Sequence, residues 1–91
     1  MIRRWLSSRP PIEVTVFTRA GCHLCDVAIE LLKTRARRHK LRISTVDITD
    51  DPTLLEQFGE TIPVVRIEDR DRFFGVVDPV LLDRLLNSLP R

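Results

Sequence analysis

Two cysteines separated by two residues, Cys22 and Cys25, are the entire cysteine content of the chain. Side chains three positions apart on a helix have Cβ atoms about 5–6 Å apart, which allows a disulfide after a small adjustment. Such a pair can cycle between dithiol and disulfide when one thiolate attacks a substrate sulfur and the other displaces the product. The spacing therefore predicts reversible thiol chemistry.

The cysteine pair lies between a predicted strand and a predicted helix. Residues 14–17 are apolar and largely β-branched, which is typical of a strand, and Gly21 follows as a turn residue. Apolar residues then repeat at helical spacing, namely Leu24, Val27, Ala28, Leu31 and Leu32. Cys22 falls at the first helical turn, where free N–H groups and the helix dipole stabilise an anion. We therefore expect Cys22 to attack as a thiolate and Cys25 to resolve the product.

A strand and a short helix are predicted next. Residues 42–47 have strand character, and Asp51-Pro52 supplies a cap followed by proline at the first helical position. The helix carries the apolar residues Leu54, Leu55 and Phe58. Gly59 closes it.

A hairpin and a final helix complete the predicted order. Residues 63–67 and 72–75 are strand-like, and the polar segment 68–71 between them predicts a turn. Asp78-Pro79 repeats the cap and proline that begin the second helix, and an apolar helical run follows. The predicted order of elements is βαβαββα.

The composition indicates one domain. A chain of 91 residues with 43% hydrophobic content is long enough for a single core. We place the domain at residues 12–91 and expect residues 1–11 to form a flexible arm, because two prolines precede the first strand. No apolar stretch approaches the roughly 20 residues that cross a bilayer, so we expect no membrane association and a cytoplasmic location. There, a cysteine pair is more often catalytic or metal-binding than structural.

The charge pattern is less informative than the cysteines. The net charge is +2, but a basic run extends from Lys33 to Arg42. It could face nucleic acid, or it could offset the negative end of a helix dipole. We prefer the second interpretation, because aromatic residues are scarce near the run, and we expect no nucleic-acid partner.

The cysteine motif and two later motifs resemble those of the glutaredoxins, over nearly the whole chain. The residues that carry the resemblance are Cys22 and Cys25, Thr61-Ile62-Pro63, and Gly75 with Asp78. The chain is most similar to compact bacterial glutaredoxin-like proteins with a Gly-Cys-His-Leu-Cys signature. The resemblance implies an α/β protein with a minimal thioredoxin fold, built from a mixed four-stranded sheet and three helices.

The resemblance also implies a substrate-binding groove. In this family the proline that matches Pro63 is cis and lies beside the cysteines, which leaves the backbone of Ile62 free to pair with a peptide or glutathione. Thr61 belongs to the same backbone clamp. Arg19 occupies the position of a lysine that meets a glutathione carboxylate, a contact arginine can make bidentately. The alternative is that Arg19 is an ordinary solvated turn residue.

Gly75 and Asp78 match parts of a Gly-Gly-x-Asp turn that binds the γ-glutamyl end of glutathione in the family. Val76 replaces the second glycine, and a β-branched residue disfavours the open backbone angles that glycine permits. This departure from the family pattern leaves two expectations open, a glutathione pocket of the family type and one that is reshaped or absent. Thioredoxin itself is a poorer match, because its active-site tryptophan and Gly-Pro are missing and the only tryptophan is Trp5.

His23 and Asp26 flank the cysteines and have opposed effects. A cationic imidazole favours the Cys22 thiolate, whereas a nearby carboxylate disfavours it. His23 is either such a modulator, within the predicted substrate-binding site, or an exposed residue at a variable position. Asp26 can also serve simply to stabilise the first helical turn, by about 0.3–1 kcal/mol.

The leading hypothesis is a monomeric thiol–disulfide oxidoreductase without a tightly bound cofactor. Its expected partners are disulfide-containing or glutathionylated proteins, with glutathione or a thioredoxin-type reductase as electron donor. The alternative is a non-catalytic thioredoxin-fold binding module or an iron–sulfur carrier, since some glutaredoxins share a [2Fe–2S] cluster between subunits. We expect no zinc site, because the only other strong ligands are His23 and the distant His39.

Overall fold

A computed structural model describes residues 9–90. Residues 1–8 of the predicted arm, including Trp5, lie outside the described residues, as does Arg91. The elements are β1 (Ile12–Thr18), α1 (His23–His39), β2 (Leu41–Asp47), α2 (Pro52–Phe58), β3 (Val64–Ile67), β4 (Arg70–Phe74) and α3 (Pro79–Ser88). This order confirms the predicted βαβαββα arrangement. None of these three helices has both the length and the apolar character that crossing a bilayer requires.

The four strands form one mixed sheet in the order β2-β1-β3-β4. β1 runs parallel to β2 and antiparallel to β3, and β3 is antiparallel to β4. Phe17 lies opposite Val64, which in turn lies opposite Phe74. This row brings the end of β1, the start of β3 and the end of β4 to the same end of the sheet.

Both faces of the sheet are covered by helices. The alternation of β1 directs Val14 and Val16 toward a core that includes Leu32 of α1 and Leu82 of α3. Phe17 lies in a second core with Phe58 of α2. Burying a leucine or phenylalanine side chain of this kind stabilises the fold by about 1.5–3 kcal/mol. α1 is thereby held against the sheet with its first turn beside the end of β1.

Side-chain caps begin α2 and α3 as the Asp-Pro pairs predict. Asp51 accepts hydrogen bonds from the N–H groups of Thr53 and Leu54, both at 3.1 Å. Asp78 caps α3 in the same way, and a proline follows each cap. The caps fix where each helix starts.

The end of α1 agrees with the preferred interpretation of the basic run. Arg37, Arg38 and His39 occupy the last turn, and Lys40 ends the helix in a left-handed conformation at φ 57°. His39 is nevertheless buried, which its charged neighbours in the sequence did not predict.

Several element boundaries and one helix cap differ from prediction. β2 begins at Leu41, one residue early. The hairpin turn has two residues instead of the predicted four. Glu68 and Asp69 form it, both with positive φ, and β4 begins at Arg70. Gly59 follows α2 as predicted but keeps a right-handed backbone with φ −52°, so it does not use glycine's left-handed freedom.

Candidate active site

Cys22 is the N-cap residue of α1. The turn before it uses Gly21 at φ +80°, and the Cys22 N–H donates to the carbonyl of Arg19 at 3.3 Å. The Cys22 sulfur accepts a hydrogen bond from the Cys25 N–H at 3.2 Å. The backbone carbonyl of Cys22 accepts another from the Asp26 N–H, also at 3.2 Å. The sulfur thus takes the place of a capping oxygen, where N–H groups and the helix dipole favour negative charge.

Cys22 and Cys25 are joined by a disulfide, with their Cα atoms 5.2 Å apart. Cys22 is partly exposed, whereas Cys25 has no exposed surface. A substrate thiol can therefore approach the Cys22 sulfur from outside, but Cys25 is reached only through its partner. An attacking cysteine must be accessible and a resolving one need not be, and the assignment of these roles to Cys22 and Cys25 stays a prediction.

The polar residues nearest the pair in sequence are exposed. Arg19 lies in the turn before Cys22, and His23 is the first residue of α1. Asp26 lies in the first helical turn. In residues 9–90, no hydrogen bond or ion pair joins the side chains of these three residues to another residue. The roles of Arg19 and His23 in substrate binding remain predictions.

The second predicted motif lies at the start of β3, at the same end of the sheet. The Ile62–Pro63 peptide bond is cis, as the resemblance implied, and Pro63 is buried. The Thr61 N–H and hydroxyl both donate to the Phe58 carbonyl, at 2.9 and 3.2 Å. Among the loop and cap hydrogen bonds of the described chain, none uses the backbone of Ile62. The use of that backbone to bind a peptide stays a prediction.

The third motif is tied directly to the second. Gly75 has φ +79°, and its N–H donates to the Pro63 carbonyl at 2.8 Å. Asp78 uses one carboxylate oxygen, Oδ1, to accept the N–H groups of Val80 and Leu81, at 2.8 and 3.3 Å. Asp78 therefore has a structural role at α3 in addition to the substrate-binding role that the resemblance predicts.

Sequence reasoning missed several exposed apolar residues near this motif. Phe74 ends β4, while Val80 and Leu81 lie in the first turn of α3, and all three are exposed. One signal could have found the α3 pair. The apolar run Val80, Leu81, Leu82 is wider than one helix face, and the 3.6-residue repeat directs Leu82 inward and its neighbours outward.

A carboxyl group with a perturbed pKa lies away from the cysteines. Arg35 of α1 makes a two-pronged ion pair with Asp83 of α3, at 2.9 and 3.0 Å. This hydrogen bonding lowers the pKa of Asp83 below its usual value near 3.8. Separately, no three histidine, cysteine or acidic residues of the described chain are grouped as potential metal ligands.

Comparison with known proteins agrees with this geometry. A family model described as Glutaredoxin-like domain (DUF836) matches residues 13–87. A protein of Mycobacterium tuberculosis, itself named only as uncharacterized, is 33% identical over 76 residues, covering 78% of this chain and 76% of the relative.

Several solved structures are also similar to this chain. The X-ray structure of a structural genomics target from X. campestris is 32% identical, with TM-score 0.70 and coverage of 85% of this chain and 99% of the other. Protein Ne2328 of Nitrosomonas europaea has TM-score 0.76 at 21% identity, covering 87% and 95%. Oxidized mitochondrial thioredoxin 3 of Saccharomyces cerevisiae has TM-score 0.62 at 16% identity, covering 97% and 88%.

The last two likenesses concern the fold alone and confirm the predicted thioredoxin fold. The fold and the disulfide between Cys22 and Cys25 together support a thiol–disulfide redox role. Since the family model spans most of the sequence, this chain belongs to the glutaredoxin-like family of the thioredoxin superfamily.

Proposed function

We propose that the protein is a thiol–disulfide oxidoreductase that reduces protein disulfides or glutathione mixed disulfides. The observation that carries the proposal is the asymmetric cysteine pair. Cys22 is partly exposed at the N-cap of α1, and its sulfur is joined to the fully buried Cys25. A partly exposed cysteine whose sulfur accepts a backbone N–H is suited to attack, and a buried neighbour is suited to resolve.

The reaction proceeds in two exchanges. The Cys22 thiolate attacks one sulfur of the substrate disulfide, forming a mixed disulfide while the other substrate sulfur leaves as a thiolate and takes a proton. The Cys25 thiolate then attacks the Cys22 sulfur and releases the second substrate thiol. Two electrons pass from the dithiol to the substrate, and the Cys22–Cys25 disulfide remains.

A thiol donor then restores the dithiol. Two glutathione molecules can supply the two electrons and become glutathione disulfide, or a thioredoxin-type reductase can act instead. We propose that this cycle runs in a monomer in the cytoplasm, where the thiol pool is reducing. No tightly bound cofactor takes part in it.

The groove beside Pro63 holds the substrate during the exchange. Ile62 offers a backbone N–H and carbonyl that an extended peptide can pair with as an added strand. Pairing of this kind uses hydrogen bonds to the peptide backbone rather than to side chains, so peptides of many different sequences can be positioned at Cys22.

A redox titration tests the proposal. The purified protein is equilibrated with a series of glutathione redox buffers, quenched with acid, and its intact mass is measured. We expect a reversible loss of two mass units, together with a transient glutathione adduct if glutathione is the donor. A disulfide without an adduct would support the oxidoreductase and point to another donor. If neither formed at any ratio, the proposal would fail, and a binding or cluster-carrying role would replace it.

A further inference from the structure

A cavity of about 370 Å³ lies where α1 and α3 end. Arg38 and His39 belong to the last turn of α1, and Asn87 belongs to the last turn of α3. The volume falls within the roughly 300–1,000 Å³ that is typical of small-molecule sites. The described residues that line the cavity are Arg9, Arg38, His39, Leu86, Asn87 and Leu89.

The polar part of this lining consists of nitrogen donors. Arg9 and Arg38 carry guanidinium groups, Asn87 carries an amide, and none of the described lining residues is acidic. Within residues 9–90, no hydrogen bond or ion pair engages the guanidinium of Arg9 or Arg38. A guanidinium presents its N–H groups in a fixed plane that matches a phosphate or a carboxylate. The lining is therefore suited to an oxyanion.

Hydrogen bonds bring Arg9 to the end of α1. The Lys40 ammonium group donates to the backbone carbonyl of Arg9. The Ile12 N–H in turn donates to the Lys40 carbonyl at 2.9 Å. Because Lys40 follows the last turn of α1, these bonds hold the segment before β1 against the helix that carries Arg38. Two separate parts of the sequence thus contribute one guanidinium each to the same cavity.

The charges around the cavity favour an anion. A neighbouring cavity of about 240 Å³ shares Arg38 and contains Asp83. Both carboxylate oxygens of Asp83 accept hydrogen bonds from Arg35, at 2.9 and 3.0 Å, so this acid is already paired. The C-terminal ends of α1 and α3 add only about half a negative charge each. Arg9 and Arg38 carry two full positive charges, which leaves a net attraction for anions.

The rest of the lining is apolar. Leu86 is buried and Leu89 is half-buried, and both face the cavity. A ligand with an oxyanion and a short apolar part would satisfy both kinds of lining. We propose that this cavity binds a small organic anion, whose phosphate or carboxylate group is held by Arg9 and Arg38 while its apolar part covers Leu86 and Leu89.

This site is separate from the disulfide. α1 has 17 residues, with Cys22 as its N-cap and His39 as its last residue. At 1.5 Å per residue the helix is about 25 Å long. A ligand in the cavity would therefore not touch the reacting sulfur, and the inference does not depend on the proposed function.

Ligand titrations of the nitrogen-15-labelled full-length protein, followed by heteronuclear NMR, test the proposal. The probes are phenyl phosphate and benzoate, which each combine an oxyanion with an apolar ring, and phenol is the uncharged control. Arg9→Gln and Arg38→Gln each remove one guanidinium from the cavity. Arg37→Gln is the matched control, because Arg37 is an exposed neighbour in the same helical turn that is not among the lining residues. All three variants change the net charge equally.

We expect at least one of the two anions to bind wild-type protein with a Kd of about 1 mM or below, and phenol to bind at least about tenfold more weakly. The amide signals of Asn87 and Leu89 should shift on binding. Arg9→Gln and Arg38→Gln should each weaken binding about tenfold, and Arg37→Gln should stay within about twofold of wild type. Tighter binding of phenyl phosphate would identify a phosphate ligand, and tighter binding of benzoate a carboxylate.

Three results would overturn the inference and leave the proposed function untouched. The first is the absence of signal shifts with either anion at about 10 mM. The second is an equal loss of affinity in Arg37→Gln and Arg38→Gln, which would indicate diffuse attraction to a basic surface. The third is a set of shifts centred on Cys22 instead of Asn87, which would place the bound anion at the other end of α1.

Discussion

The backbone N–H of Cys25 donates to the sulfur of Cys22 at 3.2 Å, while the Cys25 side chain is fully buried. One residue therefore serves the pair twice. Its backbone N–H stabilises negative charge on the sulfur of the partly exposed Cys22, and its own buried thiol can resolve a mixed disulfide. The two cysteines consequently differ in accessibility and in how far the fold stabilises a thiolate on each sulfur.

Alkylation of the reduced protein should therefore select Cys22. With a small amount of iodoacetamide near neutral pH, we expect Cys22 to react faster than Cys25 by on the order of tenfold or more, because it is exposed and favoured as a thiolate. Peptide mass spectrometry after brief reaction measures both sites. Cys22→Ser is the control, in which Cys25 should stay slow. Equal labelling of both cysteines in folded protein would contradict this assignment.

Replacing the resolving cysteine should trap the intermediate. In Cys25→Ser, Cys22 can still attack, but nothing displaces it from the mixed disulfide. We expect a stable covalent adduct with a disulfide peptide, seen on non-reducing gels and by intact mass. Cys22→Ser should form no adduct and lose turnover. Full turnover in Cys22→Ser would show that another group performs the attack.

Gly75→Ala should destabilise the fold through the backbone alone. Gly75 has φ +79°, and a Cβ built there meets nothing within 4 Å. The cost is then the left-handed conformation itself, about 1 kcal/mol in the free energy of unfolding measured with urea. Gly75→Asn should cost less, because asparagine tolerates this region better. A loss well above the expected value for alanine would point to crowding instead.

Asp78→Ala should lose the cap of α3. Two N–H groups lose their acceptor, so we expect a loss of about 1 kcal/mol in stability, and Asp78→Ser should recover most of it. Asp51→Ala gives the matched loss at α2, away from the Pro63 groove. If serine did not rescue stability, the carboxylate charge rather than capping would be the stabilising property.

The Arg35–Asp83 pair should make stability depend on pH in acid. The pKa of Asp83 is lower in the folded protein than its usual value near 3.8, so the unfolded chain binds more protons between the two values. The pair's contribution is present above the usual value and is lost as the pH falls through the lowered one. Urea unfolding at several pH values below about 5 should show a shallower dependence in Asp83→Asn than in wild type. Equal slopes would mean that the pair makes no such contribution.

The helix starts were predictable from sequence because their signals are local. An aspartate that can accept N–H groups, followed by proline with its fixed φ, specifies the same geometry at Asp51-Pro52 and Asp78-Pro79. The cysteine pair was predictable for the same reason, since its spacing and the helix start together place both sulfurs. The cis bond before Pro63 came from the family resemblance, because few X–Pro bonds are cis and no neighbouring residue signals it.

The missed features depend on tertiary packing. Glu68 and Asp69 both adopt positive φ because the paired strands require it. Glycine or asparagine at these positions would have indicated such a turn in the sequence, but glutamate and aspartate do not. His39 is buried where α1 meets the rest of the domain, although its neighbours in sequence are charged. The exposed apolar residues of β4 and α3 lie within patterns that predict core positions, and only the observed exposure separates them from the buried Leu82 and Leu86.

The short hairpin turn offers an attachment point. Glu68 and Asp69 are exposed and lie at the opposite end of β3 and β4 from Pro63 and Gly75. Four extended residues separate the two ends, a length of about 13 Å. A fluorophore or an affinity handle introduced at this turn would label or immobilise the protein at the end of the sheet opposite the cysteines, which would stay accessible to substrates.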